Sequence, residues 1–188
     1  ACLGEVRVPD RQALNLLEAD SLRQAVRIWR PDIIVNPAAH TAVDKAETEV
    51  DLAHAINAVA PGVLAEEAAQ IGALLVHYST DYVFDGGKAV PYVEDDAANP
   101  QNVYGRTKWA GEEAVRAAHA QHLILRTSWV YGRRGANFLL TMQRLMRERP
   151  ELKIVADQIG APTWARLIAE ATALMLVQCV TPGRGADF

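Results

Sequence analysis

Asp32-Ile33-Ile34-Val35-Asn36, followed at once by Pro37-Ala38-Ala39-His40-Thr41, decides the fold class. The first five residues are an apolar run bounded by turn formers, the pattern of a strand covered on both faces. The next five form a loop of mostly small side chains, whose main chain a ligand can approach. The same pairing recurs downstream. Residues 73–78 read as a second buried strand leading into Ser79-Thr80-Asp81, and residues 122–127 as a third leading into Ser128-Trp129. Helical runs separate them. Residues 19–29 place Leu22, Ala25, Val26 and Trp29 at helical spacing and stop before Pro31. Residues 51–71 are helical in composition and closed by Gly72, with Pro61 either kinking the run or opening a second helix. Residues 104–120, 138–148 and 164–178 read as further helices, and 5–10 and 152–155 as short strands.

Strand and helix in alternation predict an α/β fold, a doubly wound parallel sheet with helices on both faces. Ligands of such sheets bind beyond the carboxyl ends of the strands. Asp10, Ala38-Ala39-His40, Ser79-Thr80-Asp81 and Ser128-Trp129 all follow expected strands and define one rim. Residues 85–101, rich in Gly, Pro, Asp and Asn, form a loop long enough to be functional.

The bulk numbers narrow the classes. The chain has 188 residues, half of them hydrophobic and 22% charged, which suits a globular domain with a substantial core. A net charge of −4 gives no support for nucleic-acid or anionic-membrane binding. Two cysteines, Cys2 and Cys179, make no disulfide framework, so a reducing compartment, the cytoplasm, is expected. No apolar run is long enough to span a bilayer. The sequence starts without Met and stops without a closing element, and is expected to be part of a longer protein.

The chemistry concentrates in Tyr104-Gly105-Arg106-Thr107-Lys108. Spacing of i and i+4 puts the phenol and the ammonium on one helix face. A nearby ammonium favours the phenolate, which would lower the phenol pKa toward a range useful for proton transfer. On its own the pair also fits an ordinary helix surface. With a hydroxyl at Thr80 on a strand end and a long loop between, the three point to carbonyl/alcohol redox chemistry. Asp10 suits a ribose diol, and Arg11 an adenine face or a 2′-phosphate; a solvated Asp-Arg turn fits them as well. Asn57 and Glu47 read as structural, with Asn57 alternatively orienting the lysine through water. Trp129 is either core or an apolar wall against a sugar. Residues 157–163 form a loop, over a substrate or simply a turn and helix cap. No His/Cys/Asp/Glu spacing marks a metal site.

With these residues placed, the chain resembles the extended short-chain dehydrogenase/reductase superfamily and, within it, the dTDP-4-dehydrorhamnose reductase family. The likeness rests on Arg30-Pro-Asp-Ile-Ile-Val-Asn-Pro-Ala-Ala-His-Thr-Ala-Val-Asp-Lys-Ala-Glu47 and on His77-Tyr-Ser-Thr-Asp-Tyr-Val-Phe-Asp-Gly86. It continues through Asn102-Val-Tyr-Gly-Arg-Thr-Lys-Trp-Ala-Gly-Glu112, Arg126-Thr-Ser-Trp-Val-Tyr-Gly132, Asn137-Phe138 and Asp157-Gln-Ile-Gly-Ala-Pro-Thr163. Related sugar-nucleotide dehydratases usually carry Thr-Asp-Glu where this chain has Thr80-Asp81-Tyr82, which favours simple reduction.

The resemblance implies a Rossmann-like NAD(P)-binding domain over residues 1–135 and part of a smaller substrate-binding region over 136–188, interleaved with the last Rossmann elements. It implies NADPH- or NADH-dependent reduction of the C4 ketone of dTDP-4-dehydro-6-deoxy-L-mannose, giving dTDP-L-rhamnose. By position, Thr80, Tyr104 and Lys108 would be catalytic. Asp10, Arg11, Asn15, Leu16, Ala39, His40 and Thr41, with Tyr104 and Lys108, would border the cofactor. Thr80, Asp81 and Trp129 would meet the sugar. A homodimer, with Mg²⁺ in the intact dimer of some members, also follows from the likeness, although no ligand set for that ion is visible. The family's first strand, glycine-rich phosphate loop and C-terminal substrate region lie outside this sequence, so the polypeptide alone is expected to bind cofactor poorly. Asn15 stands where members commonly have Asp. Two alternatives remain at this stage. One is another nucleotide-sugar reductase, epimerase or dehydratase; the other is a non-catalytic subunit like the regulatory beta subunit of methionine adenosyltransferase.

Overall fold

Apolar side chains at helical spacing and buried strands alternate as the sequence predicts. The computed structural model describes residues 4–118 and 121–180. Cys2, the expected helical residues 119 and 120, and the tail from 181 lie outside the described residues. The elements are α1 (Ala19–Trp29), β1 (Ile33–Asn36), α2 (Val43–Ala46), α3 (Val50–His54), a π-helical turn (Ala55–Val59), α4 (Ala60–Ile71) and β2 (Leu74–Thr80). A 3₁₀ turn (Asp81–Val83), α5 (Val103–Ala118), β3 (His122–Thr127), β4 (Val130–Tyr131), α6 (Phe138–Glu148), β5 (Thr163–Trp164) and α7 (Ala165–Val180) follow. Contacts divide the chain after Arg126 into two units.

The first unit holds a three-stranded sheet in the order β1-β2-β3. β1 and β2 run parallel, with Ile33 opposite Leu74 and Asn36 opposite His77. Leu75 accepts the central place: its N–H donates to the Gln121 carbonyl at 3.1 Å, on the side away from β1. The core joins Leu22 and Val26 of α1, Val63, Leu64, Ala65 and Ala68 of α4, Leu75 of β2 and Val115 of α5. Full burial of a leucine such as Leu22 or Leu75 contributes about 1.5–3 kcal/mol. α1 ends as Pro31 requires, with Arg30 in the left-handed region (φ 43°). Gly72 closes α4 the same way, at φ 71°.

Three expectations change. Residues 5–10 are not a strand: Val6 and Val8 stand exposed, because no neighbouring strand among the described residues offers them a ladder. Residues 152–155 are likewise irregular, with Ile154 and Val155 exposed. The run in β1 is not covered on both faces, since Val35 is 44% exposed at the sheet edge. β2, the central strand, is the one that buries residues on both faces.

Of the two expectations for Pro61, the opening of a further helix is the one observed. The proline sits in the first turn of α4, just after the π-helical turn, where its missing N–H costs little. That turn brings the Asn57 carbonyl against Gly111 of α5, so that a Cβ on Gly111 would overlap the Asn57 oxygen and come within 3.2 Å of its carbonyl carbon. Gly111→Ala is expected to lower unfolding free energy by about 1–3 kcal/mol, read by urea titration. An unchanged midpoint would show that the two backbones have room to separate.

The second unit, described from Thr127 onward together with residues 4–7, pairs β4 with β5 in parallel, Val130 opposite Thr163. Asn137 caps α6 by accepting the Leu140 N–H at 3.1 Å, while its own amide donates to the Gly132 carbonyl at 2.9 Å.

Candidate active site

β2 and α5 carry the chemistry of the first unit. β2 ends at Thr80, whose hydroxyl oxygen accepts the Tyr82 N–H at 3.2 Å and opens the 3₁₀ turn. The same hydroxyl donates to Asp81 Oδ1 at 3.2 Å. α5 starts where Glu47 accepts the Val103 N–H at 2.8 Å, a cap supplied from another segment. Gly105 then lets α5 lie against the Tyr82 carbonyl, with no room there for a Cβ. That contact seats Tyr104 beside the 3₁₀ turn, its ring edge-on to Tyr82 with centroids 5.5 Å apart.

The Thr80 hydroxyl interacts with the Tyr104 phenol in the sense that favours its ionised form. A protonated phenol donates to Thr80 Oγ1 while Thr80 donates to Asp81. An ionised phenol instead receives the Thr80 proton, because a hydroxyl both donates and accepts. Burial holds the Tyr104 phenol above its ordinary value, the Thr80 hydroxyl pulls it partly back, and Asp81 and Tyr82 push it up again. The phenol pKa expected from the i,i+4 ammonium was a lowered one; in the chain by itself the direction is the opposite. The reason is where the lysine goes. Lys108 is buried and donates to the Tyr78 carbonyl at 2.7 Å, with His77 Nε2 at 3.2 Å. Burial lowers Lys108 to about 8, opposed by Glu112. With the Tyr78 carbonyl and His77 Nε2 as its only neighbours of this kind among the described residues, a charged Lys108 keeps at least one N–H without an acceptor there.

The loop after β1 is fixed by Asn57. Asn57 Oδ1 accepts the His40 N–H at 2.8 Å, and its amide donates to the His40 carbonyl and to Thr107 Oγ1, both at 3.1 Å. Asn57 thus ties this loop to α5 directly. Ala39 is half-buried and Thr41 exposed on the same loop. His40 Nε2 meets Glu49 at 2.8 Å, while its buried Nδ1 has no hydrogen-bond partner.

Asp10 and Arg11 follow no strand. Asp10 Oδ1 accepts the Gln12 and Ala13 N–H groups at 2.9 and 2.8 Å, so the solvated-turn reading describes its local geometry. Asn15 accepts from Leu17 N–H at 3.1 Å and donates to Glu18 at 3.3 Å. Leu16 packs against the core. The long loop is built around Asp85, which accepts from Tyr92 Oη at 2.7 Å, Gly87 N–H at 2.9 Å and Asn99 Nδ2 at 3.1 Å. Those donors hold Asp85 down at about 2.

In the second unit Trp129 has φ 44°, an uncommon conformation for a residue with a Cβ, and its ring stands edge-on to Phe138 at 5.3 Å. It is 37% exposed. The 157–163 loop passes so close that a Cβ on Gly160 would overlap the indole nitrogen. The loop is therefore shaped around the tryptophan.

A polar cluster behind the site was not anticipated. Glu112, fully buried, accepts from Arg126 Nε and Nη2 at 3.0 and 2.8 Å and from Arg116 Nη2 at 2.7 Å, with the Ser79 hydroxyl also favouring its charged form. Tyr104, Lys108, Glu112 and Arg116 recur every fourth residue on α5, and His77 and Ser79 interrupt an apolar strand. Those two patterns were the available signals. Among the described residues no group of three or more His, Cys, Asp or Glu side chains could hold a metal ion, and no helix is long and apolar enough to cross a membrane.

Residues 3–183 match the family model "RmlD substrate binding domain". A dTDP-4-dehydrorhamnose reductase of Escherichia coli is 54% identical over 154 residues, 82% of this chain and 52% of that protein. One of Burkholderia thailandensis is 51% identical over all of this chain and 63% of its own length. Among solved structures, the Bacillus anthracis dTDP-4-dehydrorhamnose reductase in complex with NADP superposes with a TM-score of 0.84 at 44% identity, covering 88% of this chain and 59% of that one. The chain spans about half to three-fifths of the length of these relatives.

Proposed function

The chain belongs to the RmlD substrate-binding-domain family, and from that premise we propose that it is the greater part of an NAD(P)H-dependent reductase. The substrate is the C4 ketone of dTDP-4-dehydro-6-deoxy-L-mannose and the product dTDP-L-rhamnose. The observation that carries this reading is the buried pairing of the Thr80 hydroxyl with the Tyr104 phenol one helical turn from the buried Lys108 amine. The relatives named dTDP-4-dehydrorhamnose reductase support the choice of sugar.

The nicotinamide cofactor, when bound, supplies the hydride. The residues present suit such a cofactor: the remaining Lys108 N–H matches a ribose hydroxyl, and the loop at Ala39, His40 and Thr41 offers main chain rather than bulk. Asp10, Arg11, Asn15 and Leu16 would border its adenosine end. Tyr104 delivers its phenolic proton to the C4 oxygen, neutralising the alkoxide as it forms. Thr80 holds the phenol and then stabilises the phenolate by turning its hydroxyl toward it, with Asp81 receiving that hydroxyl in the resting state. Lys108, charged below about pH 8, adds a cation near the site while the proton moves. In the intact protein its field would offset part of the burial that raises Tyr104. Trp129 would form a wall of the sugar pocket. The first unit would bind cofactor and the second would contribute to substrate binding, in a cytoplasmic homodimer.

The test is direct. The protein carrying this chain, given NADPH or NADH and the dTDP-4-keto-6-deoxy-L-sugar, is expected to oxidise the cofactor and release dTDP-L-rhamnose, identified by chromatography and NMR. Cofactor oxidation absent from the intact protein, or a product epimerised or dehydrated instead, would overturn the reading.

A further inference from the structure

His77 is a fully buried imidazole in the middle of the most buried strand, and the chemistry above makes no use of it. Both of its nitrogens are engaged. Nε2 lies 3.2 Å from Lys108 Nζ, and Nδ1 lies 3.3 Å from Nδ2 of Asn36, its register partner on β1, whose Oδ1 accepts the Ala38 N–H at 3.3 Å, so a proton on Nδ1 requires the Asn36 amide to turn over and release Ala38. Asn36 and Lys108 are buried as well. The arrangement is a closed row, amide to imidazole to amine, walled off from solvent between a strand pair and α5.

Two of the row's self-consistent hydrogen-bond patterns differ in the charge of Lys108. Burial, reinforced by Lys108, lowers His77 to about 3, so the ring is neutral and carries one N–H and one lone pair. An ammonium can only donate. With Lys108 charged, Nε2 accepts, Nδ1 carries the proton, and Asn36 must turn its amide oxygen toward Nδ1. With Asn36 Nδ2 toward Nδ1, the ring proton sits on Nε2 and Lys108 must be uncharged. Passing between the two releases one proton from Lys108 to solvent and moves the imidazole proton from Nδ1 to Nε2. Of the charged groups in the elements packed around it, Glu112 alone acts on Lys108, and favours the charged form.

We propose that His77 is the positioning residue of Lys108: as a neutral acceptor locked by Asn36, it holds the ammonium on the Tyr78 carbonyl and leaves one N–H for a cofactor hydroxyl. The proposal rests on the reading of Lys108 as the cofactor-binding lysine. The distances support it, because Nζ is held between the Tyr78 carbonyl at 2.7 Å and His77 Nε2 at 3.2 Å, and a buried amine without such partners would have no reason to stay in place. A purely structural histidine would not need its acceptor nitrogen aimed at the amine.

The experiment uses the intact protein labelled with ¹⁵N-histidine and ¹³C-lysine. At pH 7 the His77 proton is expected on Nδ1, the Nε2 tautomer becoming allowed only as Lys108 loses its charge near pH 8. A proton on Nε2 at pH 7 with Lys108 charged would refute the proposal without any variant being made. His77→Phe, which keeps the ring and removes the acceptor, should move the Lys108 titration down by about one pH unit and weaken NADPH binding ~10-fold, the worth of one charge-assisted hydrogen bond. His77→Gln, whose amide oxygen reaches near the Nε2 position, should restore both. A folded His77→Phe protein with an unmoved Lys108 titration would overturn the idea; a variant that fails to fold leaves the wild-type tautomer as the deciding result. These readings do not depend on turnover, so a protein that reduced no keto-sugar would count against the proposed function and not against the role of His77.

Discussion

Tyr104→Phe in the intact protein is expected to cut kcat by ~10²–10⁴-fold, the usual range for removing a general acid, while NADPH affinity changes little. The geometry argues for so clean a separation. The ring of Tyr104 packs edge-on to Tyr82 and against Val103, Ala46 and Ala53, and phenylalanine keeps those contacts. Only the hydroxyl disappears, and with it the pairing with Thr80. Thr80 still donates to Asp81 and still accepts the Tyr82 N–H, so the 3₁₀ turn survives. Thermal stability should therefore stay close to wild type, and cofactor binding measured by fluorescence should separate the step lost from the site retained. Turnover within threefold of wild type would remove Tyr104 from the mechanism. Because burial raises the phenol, wild-type activity should not require a phenolate in the resting enzyme; it should persist on the acid side of neutrality, where the proton to be donated is in place.

Which side chains come together at the candidate site could be read from spacing, while their electrostatics could not. Tyr104 and Lys108 were legible because i,i+4 on a helix is a rigid relation, and Thr80 because strand ends and ligand sites coincide in alternating α/β chains. The direction of the phenol shift was not legible. It depends on which acceptor a four-carbon side chain reaches, and Lys108 reaches back to Tyr78 and His77 on β2. Periodicity likewise found α1, β3 and α6 at their observed ends, since each has an apolar face and a stop signal. It erred at residues 5–10 because alternating valines describe only what a strand could be; a ladder also needs a neighbour. The two-residue strands β4 and β5 are below what any hydrophobic period can register.

Glu112 is where fold and site meet, and removing its charge should be the largest single loss of stability in the chain. Glu112→Gln keeps the shape but turns an amide N–H₂ toward guanidinium donors. Arg126 would lose its bidentate acceptor while still stacked 4.9 Å from Phe84, and Arg116 would lose a 2.7 Å bond. Breaking a buried pair on one side costs about 3–5 kcal/mol, and the half-exposed Arg116 places the expectation near 3. Replacing both partners, as in Glu112→Leu with Arg126→Met, should recover most of that loss, because the desolvated guanidinium goes too. Acid adds a second reading. Burial raises the Glu112 carboxyl, but Arg126, Ser79 and Arg116 outweigh it and the net shift is downward. A depressed carboxylate gives stability that is complete above its unfolded pKa and lost as pH falls through the folded one. The gap between wild type and Glu112→Gln in urea titrations should thus be full at pH 7 and shrink below the ordinary carboxylate range. A gap independent of pH would mean that the ion pairs contribute only shape. The same substitution withdraws the one charge that favours protonated Lys108, so the lysine titration should move down with it. A residue buried behind the sheet would then report, through one amine, on the proton chemistry of Tyr104.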